Sequence, residues 1–141
     1  MVKKKILVVE DDRDISELIS YSLQRKNFDV SCLYEGGSVV DFVRKRKLDL
    51  ILLDLMLPQV NGLDICRTLK SDPATKSVPI IMLTAKAEKS DVVVGLQMGA
   101  DVYMPKPFSP QMLAARARAI TRRMPNIQRP LNSTEKETAG R

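Results

Sequence analysis

The sequence predicts an α/β domain built on an open, five-stranded parallel sheet with helices on both faces. Three observations lead there. Short apolar, strand-like runs alternate five times with helical stretches. One of them, Leu50-Ile51-Leu52-Leu53, is apolar throughout, as a strand buried on both faces is. Helices of this length between strands make right-handed crossovers, which give a parallel sheet covered on both sides.

The first strand spans residues 5–9 and is followed by an amphipathic helix with Ile15, Leu18, Ile19 and Leu23 at helical spacing. A second strand at 29–33 precedes a helix at about 38–46. The third strand, 50–53, leads through Pro58 and Asn61-Gly62 to a helix near 63–70. A fourth strand at 78–83 leads to a helix near 89–98 that stops at Gly99, a C-cap signal. A fifth strand at 102–104 precedes a last helix from Pro110 to about Arg123, with Leu113, Ala117 and Ile120 on one face. Hydrophobic periodicity vanishes from Pro125 onward, so residues 1–123 are expected to form one domain and 124–141 a linker or disordered tail.

Composition excludes several function classes. There is no histidine, hence no imidazole base, no Ser-His triad and no histidine metal ligand. Two cysteines, Cys32 and Cys66, make neither a disulfide framework nor a zinc site. No apolar stretch approaches the ~18–20 residues of a membrane span. The basic start, Met1-Val2-Lys3-Lys4-Lys5, lacks the h-region of a signal peptide, and a cytoplasmic protein without membrane association is expected. The net charge of +6 is concentrated in residues 116–141, which hold seven Lys/Arg against two Glu. With no aromatic residue beyond Phe108 to stack on bases, that end reads as solvated helix and tail charge.

Reactive residues stand where the strand-like runs stop: Glu10-Asp11-Asp12, Asp54, Thr84 and Lys106. Strand ends of an open parallel sheet converge on one edge, so these residues are expected to share a crevice. Each has a plainer reading. Asp11 and Asp12 suit a helix N-terminus, where carboxylates cap free N–H groups. Yet two adjacent acids after Glu10 exceed what capping needs, and Mg2+ accounts for them, since it is held by one or two carboxylates plus waters and phosphate oxygens. Asp54 suits a nucleophile that forms an acyl phosphate. Lys106, set between Pro105 and Pro107, has a restricted backbone that aims its ammonium, and with Thr84 it suits neutralisation of phosphoryl oxygens.

At ILVVEDD, DLILLDLMLPQVNGLD, VPIIMLTAK, GADVY and KPFSP the chain resembles the receiver domain of bacterial two-component response regulators, a flavodoxin-like (βα)5 fold with strand order 2-1-3-4-5. GLDICRTLK, GLQMGAD and KPFSP are most similar to the OmpR/PhoB-type branch, whose receivers carry DNA-binding output domains. The resemblance implies that Asp54 accepts a phosphoryl group from a histidine kinase. It implies Mg2+ ligation by Asp12, Asp54 and the Met56 carbonyl, with Asp11 direct or through water. Thr84 and Tyr103 are then the switch residues, Lys106 contacts phosphate, Met56 and Lys86 tune hydrolysis, and the Lys106-Pro107 bond is cis. Phosphorylation is expected to switch the face made by the fourth helix, fifth strand and fifth helix.

Relatives dimerise through that face by salt bridges. Here the corresponding positions include Val92, Val102, Met112 and Arg116, which predicts a more apolar homodimer contact, with Val93 suited to the core. An output domain needs more residues than 124–141 supply. Either the chain is the receiver part of a longer transcription regulator, which a linker-like tail favours, or it is a stand-alone receiver acting by protein contact. Two other classes share parts of this pattern. An aspartyl-phosphate phosphohydrolase of haloacid dehalogenase type needs an acid two residues after the nucleophile, where Met56 stands. A flavin carrier needs a Ser/Thr/Gly phosphate loop, where the chain has Glu-Asp-Asp-Arg.

Overall fold

The computed structural model describes residues 3–85, 93, 96, 97 and 99–122. Five strands, β1 (Lys5–Val9), β2 (Asp29–Leu33), β3 (Leu50–Asp54), β4 (Ile80–Thr84) and β5 (Val102–Pro105), form one sheet in the order β2-β1-β3-β4-β5. All pairings are parallel; Val8 lies beside both Cys32 and Leu52, and Leu53 beside Met82.

The period-2 geometry of strands sorts the apolar runs into two cores. Ile6, Val8, Leu50, Leu52, Ile81 and Leu83 face α1 (Arg13–Gln24) and the C-terminal helix (Pro110–Arg122), packing on Ile19, Leu23, Leu113 and Ala117. Their neighbours Leu7, Val9, Ile51, Leu53, Ile80 and Met82 face the other way, toward Val39 and Val43 of α2 (Val39–Arg44) and Ile65, Cys66 and Leu69 of α3 (Gly62–Ser71). The three central strands therefore bury both faces, which is why they are apolar without alternation. Cys66 is buried in the second core, and burial pushes its thiol up to about 11, so it behaves as a small apolar residue.

Element ends depart from the expectation for local reasons. β4 begins at Ile80 rather than residue 78, because Val78 N–H closes a turn on Thr75 O and Pro79 contributes only its carbonyl, to Ile51. α2 is shorter than 38–46: Gly36 O takes the Val39 N–H before the helix, and the Lys45 N–H closes its end. The fourth predicted helix falls mostly outside the described residues. Val93, Leu96 and Gln97 are helical, and Gly99, at φ +107°, donates its N–H to Leu96 O. The expected tail, 124–141, lies outside the described residues. Among the described residues no helix is long and apolar enough to cross a membrane.

A latch joins the two sheet-entry loops at the edge opposite the strand carboxyl ends. Lys70, near the end of α3, extends Nζ to Lys76 O at 3.2 Å, Val78 O at 2.8 Å and Asp101 Oδ2 at 3.1 Å. Asp101 Oδ2 also accepts the Ile80 N–H at 2.8 Å, and Asp101 N–H donates to Ile80 O.

Candidate functional site

At the carboxyl edge of the sheet β1, β3, β4 and β5 each deliver one polar group. β1 ends at Val9, and Glu10 follows, its N–H held by Leu33 O at 3.1 Å. Asp54 and Thr84 are the last residues of β3 and β4 and are buried, at 3% and 0% exposure, so their placement is fixed by the sheet. Lys106 follows β5, with its N–H on Thr84 O at 2.7 Å and a cis bond to Pro107.

These groups converge. Lys106 Nζ is 2.6 Å from Glu10 Oε1 and 3.5 Å from Asp54 Oδ2. The other Asp54 oxygen, Oδ1, accepts the Met56 N–H at 3.1 Å. Carboxylate oxygens of Glu10, Asp11 and Asp54 lie within 4.8 Å of one another. Burial raises the Glu10 carboxyl to about 6, against the lowering effect of its hydrogen bond to Lys106. Burial works to lower the Lys106 ammonium, but the Glu10 hydrogen bond and the Asp54 charge outweigh it, and the net direction is up. The lysine is held charged between two acids.

The three-acid cluster differs from the expected ligand set. Asp12 is the N-cap of α1: its Oδ1 accepts from Asp14 N at 3.0 Å and Ile15 N at 3.2 Å. Glu10 joins Asp11 and Asp54 in the cluster, while the Asp12 carboxylate is turned to the helix start. The physical reason is the strand-to-helix turn, which leaves Asp12 in extended conformation at the helix start while the preceding two residues remain at the sheet edge. The signal was present in the sequence, since Glu10 directly follows the buried strand just as Asp54 nearly does.

The loop after Asp54 is built around a close approach. Leu55 N–H donates to Leu83 O, Gly62 N–H to Leu55 O, and Asn61 Oδ1 caps α3 through Leu63 N at 2.8 Å. A Cβ on Gly62 would stand 2.6 Å from Asp54 O and 2.8 Å from Leu55 Cα, so only glycine fits beneath the residue that carries the carboxylate. Met56 is 56% exposed beside this site.

Of the other expected site residues, Tyr103 is partly buried against the α2/α3 core. Lys86 and Val92 lie outside the described residues. Met112 is 53% exposed and Arg116 is exposed on the C-terminal helix. Val102, expected on the same surface, is partly buried against the other core. Val93, expected inward, is 47% exposed.

A family model described as "Response regulator receiver domain" matches residues 6–118. The chain is 47% identical over 122 residues to the "DNA-binding response regulator MtrA" of Mycolicibacterium smegmatis and of Mycobacterium tuberculosis, covering 86% of this chain and 52% of each relative. It thus spans about half the length of these relatives. Among solved structures, the BeF3-activated N-terminal receiver domain of Klebsiella pneumoniae RstA superposes with a TM-score of 0.78 at 34% identity, covering 84% of this chain and 99% of that one. DrrB of Thermotoga maritima, described as an OmpR/PhoB homolog, gives 0.77 at 32% identity, covering 86% of this chain and 54% of that one. With this fold, this edge and these similarities, the chain belongs to the response regulator receiver domain family.

Proposed function

We propose that the chain is the phosphoacceptor module of a two-component relay, and that Asp54 is the acceptor. The observation that carries this reading is the Asp54 carboxylate itself: buried, oriented by the Met56 N–H, facing Lys106 and grouped with two further acids. A partner histidine kinase presents a phosphohistidine. An Asp54 oxygen attacks phosphorus, the P–N bond breaks, and its electron pair leaves with the partner's imidazole. Lys106 stands where it offsets charge on the phosphoryl oxygens, and Thr84, at the end of the next strand, supplies a hydroxyl on the same edge.

Hard carboxylate oxygens are the donor set that suits Mg2+, and Asp11, Asp54 and the Met56 carbonyl would hold it, with Glu10 grouped beside them and Asp12 as helix cap. Bound there, the cation would supply charge neutralisation between the carboxylates and the incoming phosphoryl group.

Phosphorylation then biases the arrangement of Thr84 and Tyr103, and with it the face that carries Met112 and Arg116. That face is assigned to a phosphorylation-dependent homodimer. Because the relatives are named DNA-binding response regulators, the readout assigned here is transcription control through an output domain of a longer protein in the cytoplasm; a stand-alone receiver acting by contact is the alternative.

The test is labelling with acetyl phosphate and Mg2+, followed by mass spectrometry. One phosphoryl group, labile to base and to hydroxylamine as an acyl phosphate is, is expected on the wild type and none on Asp54→Asn, because an amide is not a comparable nucleophile. Undiminished labelling of the variant at the same site would overturn the assignment.

A further inference from the structure

Charge is segregated across the sheet. The carboxyl edge holds the acidic site, while the opposite edge, where the parallel strands begin, is strongly basic. Lys3, Lys4 and Lys5 lead into β1. Lys26 lies in the turn before β2, and Lys45, Arg46 and Lys47 lie in the turn before β3. All seven are exposed. Because β2, β1 and β3 are adjacent and parallel, the three approaches share one edge. The chain confirms this locally: Asp29 N–H donates to Lys4 O and Asp49 N–H to Lys5 O.

Only two carboxylates sit among these cations. Asp29 Oδ2 is 3.6 Å from Lys5 Nζ, and Asp49 Oδ2 accepts the Lys5 backbone N–H at 2.7 Å. Among the described residues, Lys3, Lys4, Lys26, Lys45 and Lys47 have no carboxylate within salt-bridge distance. Seven cations against two acids leave +5 on this edge, whereas residues 1–115 as a whole carry +1. The rest of residues 1–115 therefore carries a net −4. A cleft of about 290 Å3 opens between Lys5, Asp29, Ser31, Arg46, Lys47 and Leu48.

We propose that this basic edge binds the phosphodiester backbone of duplex nucleic acid, independently of sequence and of the phosphorylation site. Cations on the approaches to three adjacent strands, whose backbones lie about 4.8 Å apart, suit a closely charged polyanion. Of the aromatics by this edge, Phe28 is buried and Phe42 already carries the Arg46 guanidinium on its ring at 3.8 Å, which disfavours base stacking and hence single strands. Among the described residues, the large exposed apolar side chains Leu18, Tyr21, Met56, Val93, Leu96 and Met112 lie on other elements and offer this edge no anchor for a lipid surface. The basic C-terminal helix is a poorer candidate, since Arg116 and Arg118 project about 200° apart around its axis.

The test is fluorescence anisotropy of a short labelled DNA duplex of arbitrary sequence, titrated with the full chain. Contact with four or five phosphates gives a slope of log K against log salt of about −4, or roughly a 250-fold loss between 50 and 200 mM. The triple variant Lys26→Glu/Lys45→Glu/Lys47→Glu is expected to lower affinity more than about tenfold at 100 mM salt, where screening confines the effect to about 10 Å. Arg116→Glu/Arg118→Glu/Arg122→Glu is expected to stay within about twofold of wild type. Lys26→Gln/Lys45→Gln/Lys47→Gln keeps the side-chain stems and is expected to weaken binding in the same direction; retained thermal unfolding of each variant shows that the fold persists. Absence of salt-dependent duplex binding overturns the proposal. So does loss that follows the C-terminal set, or preferential binding to phosphatidylserine vesicles.

Discussion

Replacing Gly62 by alanine sets two effects of opposite sign against each other. Gly62 is the first residue of α3, and alanine is the better helix former by up to about 1 kcal/mol. The added methyl, however, would meet Asp54 O at 2.6 Å, Leu55 Cα at 2.8 Å and Leu55 O at 3.1 Å, all of them backbone. An ordinary carbon–oxygen contact is about 3.3 Å, so strand end and helix start must part by about 0.7 Å. Overpacking of this kind costs about 1–3 kcal/mol, which exceeds the propensity gain. Gly62→Ala should therefore lower the melting temperature, by about 4 °C for each net kcal/mol lost. The displaced backbone carries the Asp54 carboxylate, and a misplacement approaching 1 Å slows an oriented reaction by about 10–100-fold. The assays are thermal denaturation and the initial rate of acetyl-phosphate labelling. Gly37→Ala is the control: its methyl would meet only the Glu35 Oε1 side-chain atom, at 3.0 Å, which can swing aside. A Gly62→Ala protein as stable and as rapidly labelled as the Gly37→Ala protein would refute the close-approach reasoning.

Asp12→Ala should cost about 0.5–2 kcal/mol of stability through the lost cap while leaving Mg2+ binding by calorimetry intact, and Asp11→Ala should abolish that binding; the opposite pattern returns the ligand role to Asp12. Met56, half-exposed beside the acceptor, offers no group to orient water, so Met56→Asn should speed loss of the phosphoryl group, measured by phosphate release, and an unchanged rate removes the shielding role. Met112→Glu should prevent association of beryllofluoride-treated protein in sedimentation, and the wild-type association should vary little between low and high salt; a variant that associates as well as wild type shows that the C-terminal helix face is not the contact.

The fold was legible because burial left its mark on composition: strands covered on both faces read as Leu50–Leu53 does, and helices covered on one face read as α1 does. Much of the site followed from the fold, since residues just after such runs must meet at one edge. What the sequence concealed was the division of labour among Glu10, Asp11 and Asp12. All three are acids in a row, and only the dihedral angles of the turn decide which points to the edge and which caps the helix. Val93 points outward for a related reason. A residue's outward or inward direction depends on the rotation of its element about its own axis, and a three-valine run carries too little periodicity to fix that rotation.

The latch made by Lys70 and Asp101 has a mechanical consequence. It ties the beginnings of β4 and β5 to the end of α3, while Thr84 and Lys106 sit at the strands' far ends. Gly99 closes over it with no side chain, since a Cβ there would stand 2.7 Å from Lys70 Cγ. Strands clamped at one end and loaded at the other behave as cantilevers: a small pull at the tip is largest there and vanishes at the root. A displacement imposed at Thr84 or Lys106 is therefore expected to fade before it reaches the basic edge.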